Sequence, residues 1–533
     1  MIRKAQYNIC LILFLTLSSI TLAKPTIIHN IKGYSLTQDS KVQFQAIAFE
    51  NDMILKTGNY ELLTELFPDS EIIDGQGKTM LPALQDSMVH LQRPIQDKLM
   101  LDLSHTKSKQ EVLNTIKKHA KEYPDDKWIK GFGWDYTQWK NKSLPTSKDL
   151  DDLEIKKNIY LLSKDYRVVW LNKFAINKTR IMSLRDSPFD GLVLVDEQKK
   201  HTGIYVDSAI NYIEDNLQHY RHEDFYVSLL ASLDKLSSNG LGTIVESEIE
   251  FKPLNIIKSF LRQNKLPVRV NSSILYSDHK FKWSMKYTPY HDEQMHFHAH
   301  DIKYILKDRF QAKGYNLPPR PDNNHNIIVK MIEDNLENSW QASFQISNDK
   351  ELADALNILN NVEIGDRNIR NKLEFSKTFT TKQFPKQKNP LVLAMQPEMI
   401  LKTLKTNQSG KLSGWQNLQN KNIKLVVGSN YPYSDSINPF AGLHKLVNPT
   451  QSSEKLSRVQ ALSLYTLNSA YANRQENYLG SLEADKLADF ILIDNDYFEV
   501  KSSEIKNINV LETWVGGRKV FDSSEGTNPT LEK

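Results

Sequence analysis

The sequence predicts an α/β protein, a TIM-like (β/α)8 barrel with a composite β-sandwich domain built from both chain ends. Three observations carry that expectation. Across the middle of the chain, β-type runs such as "GTIVES" (242–247), "PVRVNSSILY" (267–276), "SFQIS" (343–347), "PLVLAMQ" (390–396) and "IKLVVGSN" (423–430) recur at intervals. Between them lie stretches with helical spacing, among them "FYVSLLASLDKLSSNG" (225–240), "DKELADALNILNN" (349–361) and "SRVQALSLYTLNSAYANR" (457–474). The ends, by contrast, are rich in short strands and turns, from "VQFQAIAFEND" (42–52) to "LADFILIDND" (487–496) and "VLETWVGGRKVFD" (510–522). Alternation of strand and helix argues for a parallel sheet, and so many repeats favour closing it. Two β-rich ends suggest that the termini meet in one domain.

The boundaries follow. Residues 1–23 read as a signal peptide: "MIRK" is a short basic start, "ICLILFLTLSSI" an apolar middle, and "TLA" a run of small residues before Lys24. The apolar stretch falls short of the roughly 20 residues that span a bilayer. An exported protein, periplasmic or secreted, is therefore expected, with no stable membrane insertion after cleavage. Residues 24–82 form the N-terminal part of the sandwich, 83–475 the barrel with insertions, and 476–533 the C-terminal part. Within the barrel, "NIYLLSKD" (158–165) and "NIIVKMIED" (326–334) are also read as strands.

Composition excludes several classes. Lys and Arg total 68 against 64 Asp and Glu, and no basic stripe with interleaved aromatics occurs, so no nucleic-acid partner is expected. Cys10 is the only cysteine and lies in the leader, which leaves the mature chain without a disulfide or a thiol nucleophile. Gly-x-Ser-x-Gly is absent. The oligomeric state is not legible.

In a barrel, function sits at the carboxyl ends of the strands. On this sequence those ends are Asp165–Arg167, Glu246, Lys330, Gln345, Phe375, Gln396 and Asn430. A further segment, "LPALQDSMVHLQRPI" (81–95), runs from an apolar stretch through Asp86 to Met88 and His90. Alternate residues on a strand share a face, so Met88 and His90 would point the same way. Two histidines there would hold a metal. A thioether is a poor ligand for a hard or borderline ion.

Six segments in order, covering about residues 30–521, resemble the long-chain branch of the amidohydrolase superfamily, amidohydrolase family 3. They are "IIDGQGK" (72–78) leading into "LPALQDSMVHL", "GFGWDYTQW" (131–139), "HTGIYVDSA" (201–209), "WQASFQISND" (340–349), "KLVVGSNYPY" (424–433) and "YLGSLEADKLADFILID" (478–494). The resemblance implies the barrel and composite sandwich described above. It also implies a divalent metal, such as zinc, that activates water to hydrolyse a non-peptide C–N bond. The implied ligands are a His-x-His pair, a lysine that can be carboxylated, two later histidines, and an aspartate that doubles as general base.

Carried over residue by residue, the ligand set is mostly replaced. Met88 takes the first histidine position, and only His90 remains of the pair. Lys330 matches the family lysine in "IIVKMIED". Gln345 and Phe375 stand at the two later histidines, and Asn430 at the aspartate. Arg167, in "SKDYRVVWLN", stands at a substrate-side histidine. Amide oxygens are weak transition-metal ligands, a guanidinium repels cations, and a carboxamide is no general base. The expectation is therefore an exported amidohydrolase-like protein without its metal centre or hydrolase activity, and with no cofactor. Its former site would be a pocket edged by His90, Arg167, Lys330, Gln345 and Asn430, with apolar walls from Met88 and Phe375. Such a pocket suits a small anionic or amide-bearing ligand. The alternative is an active hydrolase with a relocated metal. Its best candidate is "HDEQMHFHAH" (291–300), where His296, His298 and His300 alternate in a segment read as an inserted loop.

Overall fold

The computed structural model describes residues 24–37, 40–179, 191–214, 217, 222–249, 266–276, 289–292, 296–306, 324–376, 384–404, 418–434, 437–448 and 455–525. The signal-like segment 1–23 lies outside them.

Eight parallel strands build the barrel: Leu84–Val89, Leu241–Ile249, Arg269–Leu275, Phe297–Ile305, Gln341–Ile346, Asn371–Phe375, Leu391–Met395 and Ile423–Val427. Each pairs with the next in chain order, and they are called barrel strands one to eight below. Their outward side chains, among them Ile244, Val270, Phe297, Phe344, Leu373 and Leu425, lie in the largest apolar cluster together with residues of the surrounding helices. These helices are set by local signals. Asn348, for instance, caps Asp349–Asn361 by accepting from the Glu351 amide at 2.9 Å, and Leu352, Ala355, Leu356 and Leu359 bury one stripe.

Strand eight returns to strand one through a single parallel bridge between Val89 and Tyr431. Around it, the Asn430 amide donates to the Met88 carbonyl at 2.9 Å, and the His90 amide to the Tyr431 carbonyl at 2.8 Å. The Asp86 carboxylate completes the seam by accepting from the amides of Ser429 (2.9 Å) and Met88 (3.1 Å). The seam is tight enough to dictate a residue. A Cβ added at Gly428 would stand 2.3 Å from the Met88 Cβ.

The chain ends share one six-stranded sheet. Thr79–Pro82 pairs with Phe490–Ile493 on one side and Lys32–Leu36 on the other. A four-stranded sheet from residues 26–74 packs on it through Ile28, Ile47, Phe49, Phe490 and Trp514. Arg269, fully buried at the start of barrel strand three, makes a two-pronged ion pair with Asp489 of "LADF" (2.6 and 2.8 Å) and so joins barrel to sandwich.

Three sequence expectations change. Residues 158–165 belong to a separate six-stranded sheet spanning Leu101–Asp207, in which Asn158–Ser163 turns back antiparallel onto Val168–Leu171. Residues 326–334 lie in the helix Asn324–Leu336, with Lys330 exposed on it, so Lys330 edges no barrel cavity. Finally, "HFHAH" opens barrel strand four and is buried, where an inserted loop was expected.

We expect Gly428→Ala to destabilise the fold by about 1–3 kcal/mol, the usual cost of forcing an extra carbon into a packed seam. Equilibrium denaturation of the variant against the parent protein measures it.

Candidate functional site

The first barrel strand, Leu84–Val89, carries Met88 near its carboxyl end and is followed by His90. Met88 is buried against Gly428, and His90 is buried beyond it. The His90 imidazole is hydrogen-bonded to the Asn430 side chain, and burial lowers its pKa below the ordinary histidine value. It is therefore neutral near pH 7. Asn430 sits at φ +60°, a left-handed conformation that asparagine tolerates better than most residues. The exposed Tyr433 ring meets His90 edge-on, with centroids 5.5 Å apart.

Below this rim the lumen is charged. Lys303 of strand four is fully buried, with its Nζ 2.5 Å from Glu374 of strand six and 3.6 Å from Glu248 of strand two. Neither pair joins neighbouring strands, so both cross the lumen. Lys372 of strand six continues the network, 2.8 Å from Asp301 and 3.6 Å from Glu374. Ser343 donates to Glu374 at 3.2 Å and Gln341 to Asp301 at 2.9 Å. Burial acts to lower the Lys372 pKa, but the Asp301 and Glu374 charges outweigh it and hold it above the ordinary lysine value. Burial acts to raise Asp301, yet its partners hold it well below the carboxylate range.

Two other carboxylates are buried without a cation of their own. Burial pushes Asp86 up to about 6 at the seam. It pushes Glu246 of strand two up to about 8, although Glu246 accepts from the Leu91 amide at 2.7 Å.

Several expected pocket members are elsewhere. Arg167 makes a two-pronged ion pair with Asp207 (2.9 and 3.0 Å) inside the separate sheet, so its guanidinium is not a free anion contact at the barrel. It is Tyr166, next to it, that reaches the mouth, where its hydroxyl donates to Asp97 and lies 3.2 Å from the Tyr433 hydroxyl. Phe375 turns outward onto Phe384, with ring centroids 6.0 Å apart, and walls no lumen. Gln345 ends strand five half-buried, on the same face as Ser343. His90, Asn430 and Gln345 are thus the expected residues at strand ends, with His90 and Asn430 in contact.

The histidine run does lie on a strand, but at its amino end. His298 and His300 stack with centroids 4.5 Å apart. His296 lies beside Asp292 (3.6 Å) and Arg518 (3.4 Å). Among the described residues, no three His, Cys, Asp or Glu side chains are arranged to hold a metal ion. Sequence reading missed Lys303, Lys372, Glu248 and Glu374. The available signal was "DIKYI" (301–305), whose Asp301 and Lys303 alternate with apolar Ile302 and Tyr304.

The amidohydrolase family model matches residues 71–521. The chain belongs to the amidohydrolase family. It is 23% identical to Protein LONG AFTER FAR-RED 3 of Arabidopsis thaliana, over 92% of this chain and 90% of that protein. It is 21% identical to an N-substituted formamide deformylase of Arthrobacter pascens, over 84% and 90%. Its fold is similar to that of an uncharacterized metal-dependent hydrolase from Pyrococcus horikoshii OT3, with a TM-score of 0.59 and 18% identity over 90% of this chain and 99% of that one.

The divalent metal implied by the family does not fit the residues present. One imidazole faces a carboxamide, a thioether stands beside it, and the lumen residue Lys303 is occupied by two carboxylates.

The buried acid makes a pH prediction. Glu246 binds its proton more tightly folded (about 8) than at its ordinary value of 4.5. The stability it contributes is complete below that ordinary value and lost as pH rises through the folded one. We expect Glu246→Gln to melt above the parent protein at about pH 9 and level with it at about pH 4, because glutamine still accepts from Leu91 without ionising. Paired melting curves across that range measure the difference.

Proposed function

We propose that this chain is an exported amidohydrolase-family protein that no longer performs metal-dependent hydrolysis of non-peptide C–N bonds, and that its barrel mouth binds a small amide-bearing ligand. The pairing of His90 with Asn430 carries the reading. A general base for water needs an imidazole or carboxylate that is not already engaged, and the strand-end carboxylates Glu248 and Glu374 are ion-paired with Lys303. Here a neutral imidazole is engaged by a carboxamide, which neither takes up a proton near neutral pH nor ligates zinc well. His90, Asn430 and the half-buried Gln345 together offer donors and acceptors of the kind an amide requires.

The ligand class draws support from the relative named N-substituted formamide deformylase. The anionic ligand also considered from sequence loses its support with Arg167 and Lys330, the two cations meant to bind it. Export rests on the basic, apolar and small-residue layout of residues 1–23. Among the described residues no helix is long and apolar enough to cross a membrane.

Elemental mass spectrometry on the mature protein, purified without chelator or histidine tag, tests the first half. We expect less than about a tenth of an equivalent of zinc, manganese, iron or nickel, even after supplementation, since a site with three strong ligands retains its ion. Near one equivalent, with turnover of an N-substituted formamide, overturns it. Calorimetric titration with small carboxamides and formamides tests the second half. Binding heat that disappears in Asn430→Ala is expected, and no heat with any of them overturns it.

A further inference from the structure

We propose that Glu246 is a positioning residue for the barrel mouth: by holding the backbone just after His90, it sets the imidazole against Asn430. The inference rests on the reading above, in which that pair binds an amide-bearing ligand, and names a residue on which the pair depends.

The need arises from the way strand one ends. His90 and Leu91 join the strand Leu84–Val89 to the helix Gln92–Lys98. A helix leaves its first amides without partners of its own, and a polar side chain at the N-cap ordinarily supplies one. Here the N-cap is Leu91, whose side chain caps nothing. Glu246 of strand two supplies an acceptor from outside the segment. It pairs with Val89 across the sheet, and its buried carboxyl reaches forward to accept from the Leu91 amide at 2.7 Å.

Three backbone amides hold His90 in place relative to Asn430: that of Asn430 on the Met88 carbonyl (2.9 Å), that of His90 on the Tyr431 carbonyl (2.8 Å), and that of Leu91 on Glu246. The first two acceptors are carbonyls, present whatever the side chains are. Only the third is a side chain, so it is the one that a single substitution cancels. Glu246 lines a small cavity with Gln92, Phe225, Leu229, Leu233 and Val270. Apart from Gln92, the other walls are apolar. Without the carboxyl, the Leu91 amide is left against those walls, and a buried amide without its acceptor is costly enough for the chain to shift. His90, one residue away, shifts with it.

The test uses the mature protein and three variants. Glu246→Met keeps the unbranched length of the side chain and removes the acceptor, Glu246→Gln keeps an acceptor, and Leu233→Ala costs stability in the same cavity without removing one. The His90 imidazole is followed by NMR on protein labelled with carbon-13 histidine, its signal assigned by its loss in His90→Gln, and affinity for formamide is followed by calorimetry. We expect Glu246→Met to shift the His90 signal and to bind formamide about tenfold more weakly, the scale of one lost hydrogen bond. Glu246→Gln should match the parent protein in both readouts, and Leu233→Ala should melt lower yet also match it. A Glu246→Met protein whose His90 signal stays in place overturns the proposal, as does a Leu233→Ala protein that shifts it as far or a Glu246→Gln protein that does not restore it. If Glu246→Met does not fold, Glu246→Asp, whose carboxyl is one methylene shorter, takes its place. A parent protein that gives no heat with formamide overturns the binding reading instead, and the His90 signal then decides this one.

Discussion

Each carboxylate that the barrel buries, in its lumen or in its wall, finds a cation or is pushed toward its neutral form, and the arrangement of charge follows from that. Glu374 and Asp301 meet Lys303 and Lys372 across the lumen. Glu246 and Asp86, without such a partner, are pushed toward the neutral acid by burial. A barrel interior is ordinarily filled by branched apolar side chains. Here ion pairs link strand two to strand four and strand four to strand six, so these strands are held by charge inside and by apolar packing outside. Such pairs repay their desolvation only when geometry is good and remaining oxygens are hydrogen-bonded. Ser343 and Gln341 supply those bonds.

The seam between strands one and eight is held by contacts that do not involve the side chains at positions 88 and 430. Asp86 clamps Ser429 and Met88, and the His90 backbone bonds Tyr431. None of these contacts depends on what the side chains at positions 88 and 430 are. A thioether and a carboxamide therefore fit without disturbing the path of the chain. Family membership follows the frame, whereas function has to be argued from the side chains.

Much of the frame was legible because its cause is local. Apolar runs of five or six residues, such as "LVLAM" and "IKLVV", mark parallel strands covered on the outside, and the β-rich ends announce the shared sheet. Positions at the strand ends were legible where a motif fixed the register, as at Met88, His90, Gln345 and Asn430. "NIIVKMIED" misleads because β-branched residues mimic a strand, while the thirteen-residue helix Asn324–Leu336 that contains it has the longer helical period. "HFHAHDIKYI" hides a true strand, because its lumen side carries histidine, aspartate and lysine where a buried strand is expected to be apolar. Arg167 and Asp207 lie forty residues apart, and nothing local ties one to the other.

The separate sheet acts on the site through one hairpin tip. Tyr166 adopts φ +58° there, stacks on Phe132 with centroids 4.9 Å apart, and places its hydroxyl between Asp97 and Tyr433. Tyr433 in turn covers His90. This chain of contacts helps keep water from the imidazole, and burial is the largest influence lowering its pKa. A histidine shielded in this way stays neutral and presents one donor and one acceptor. With one side engaged by Asn430, it has a single ring nitrogen left to offer, and burial keeps that ring from taking up a second proton near neutral pH.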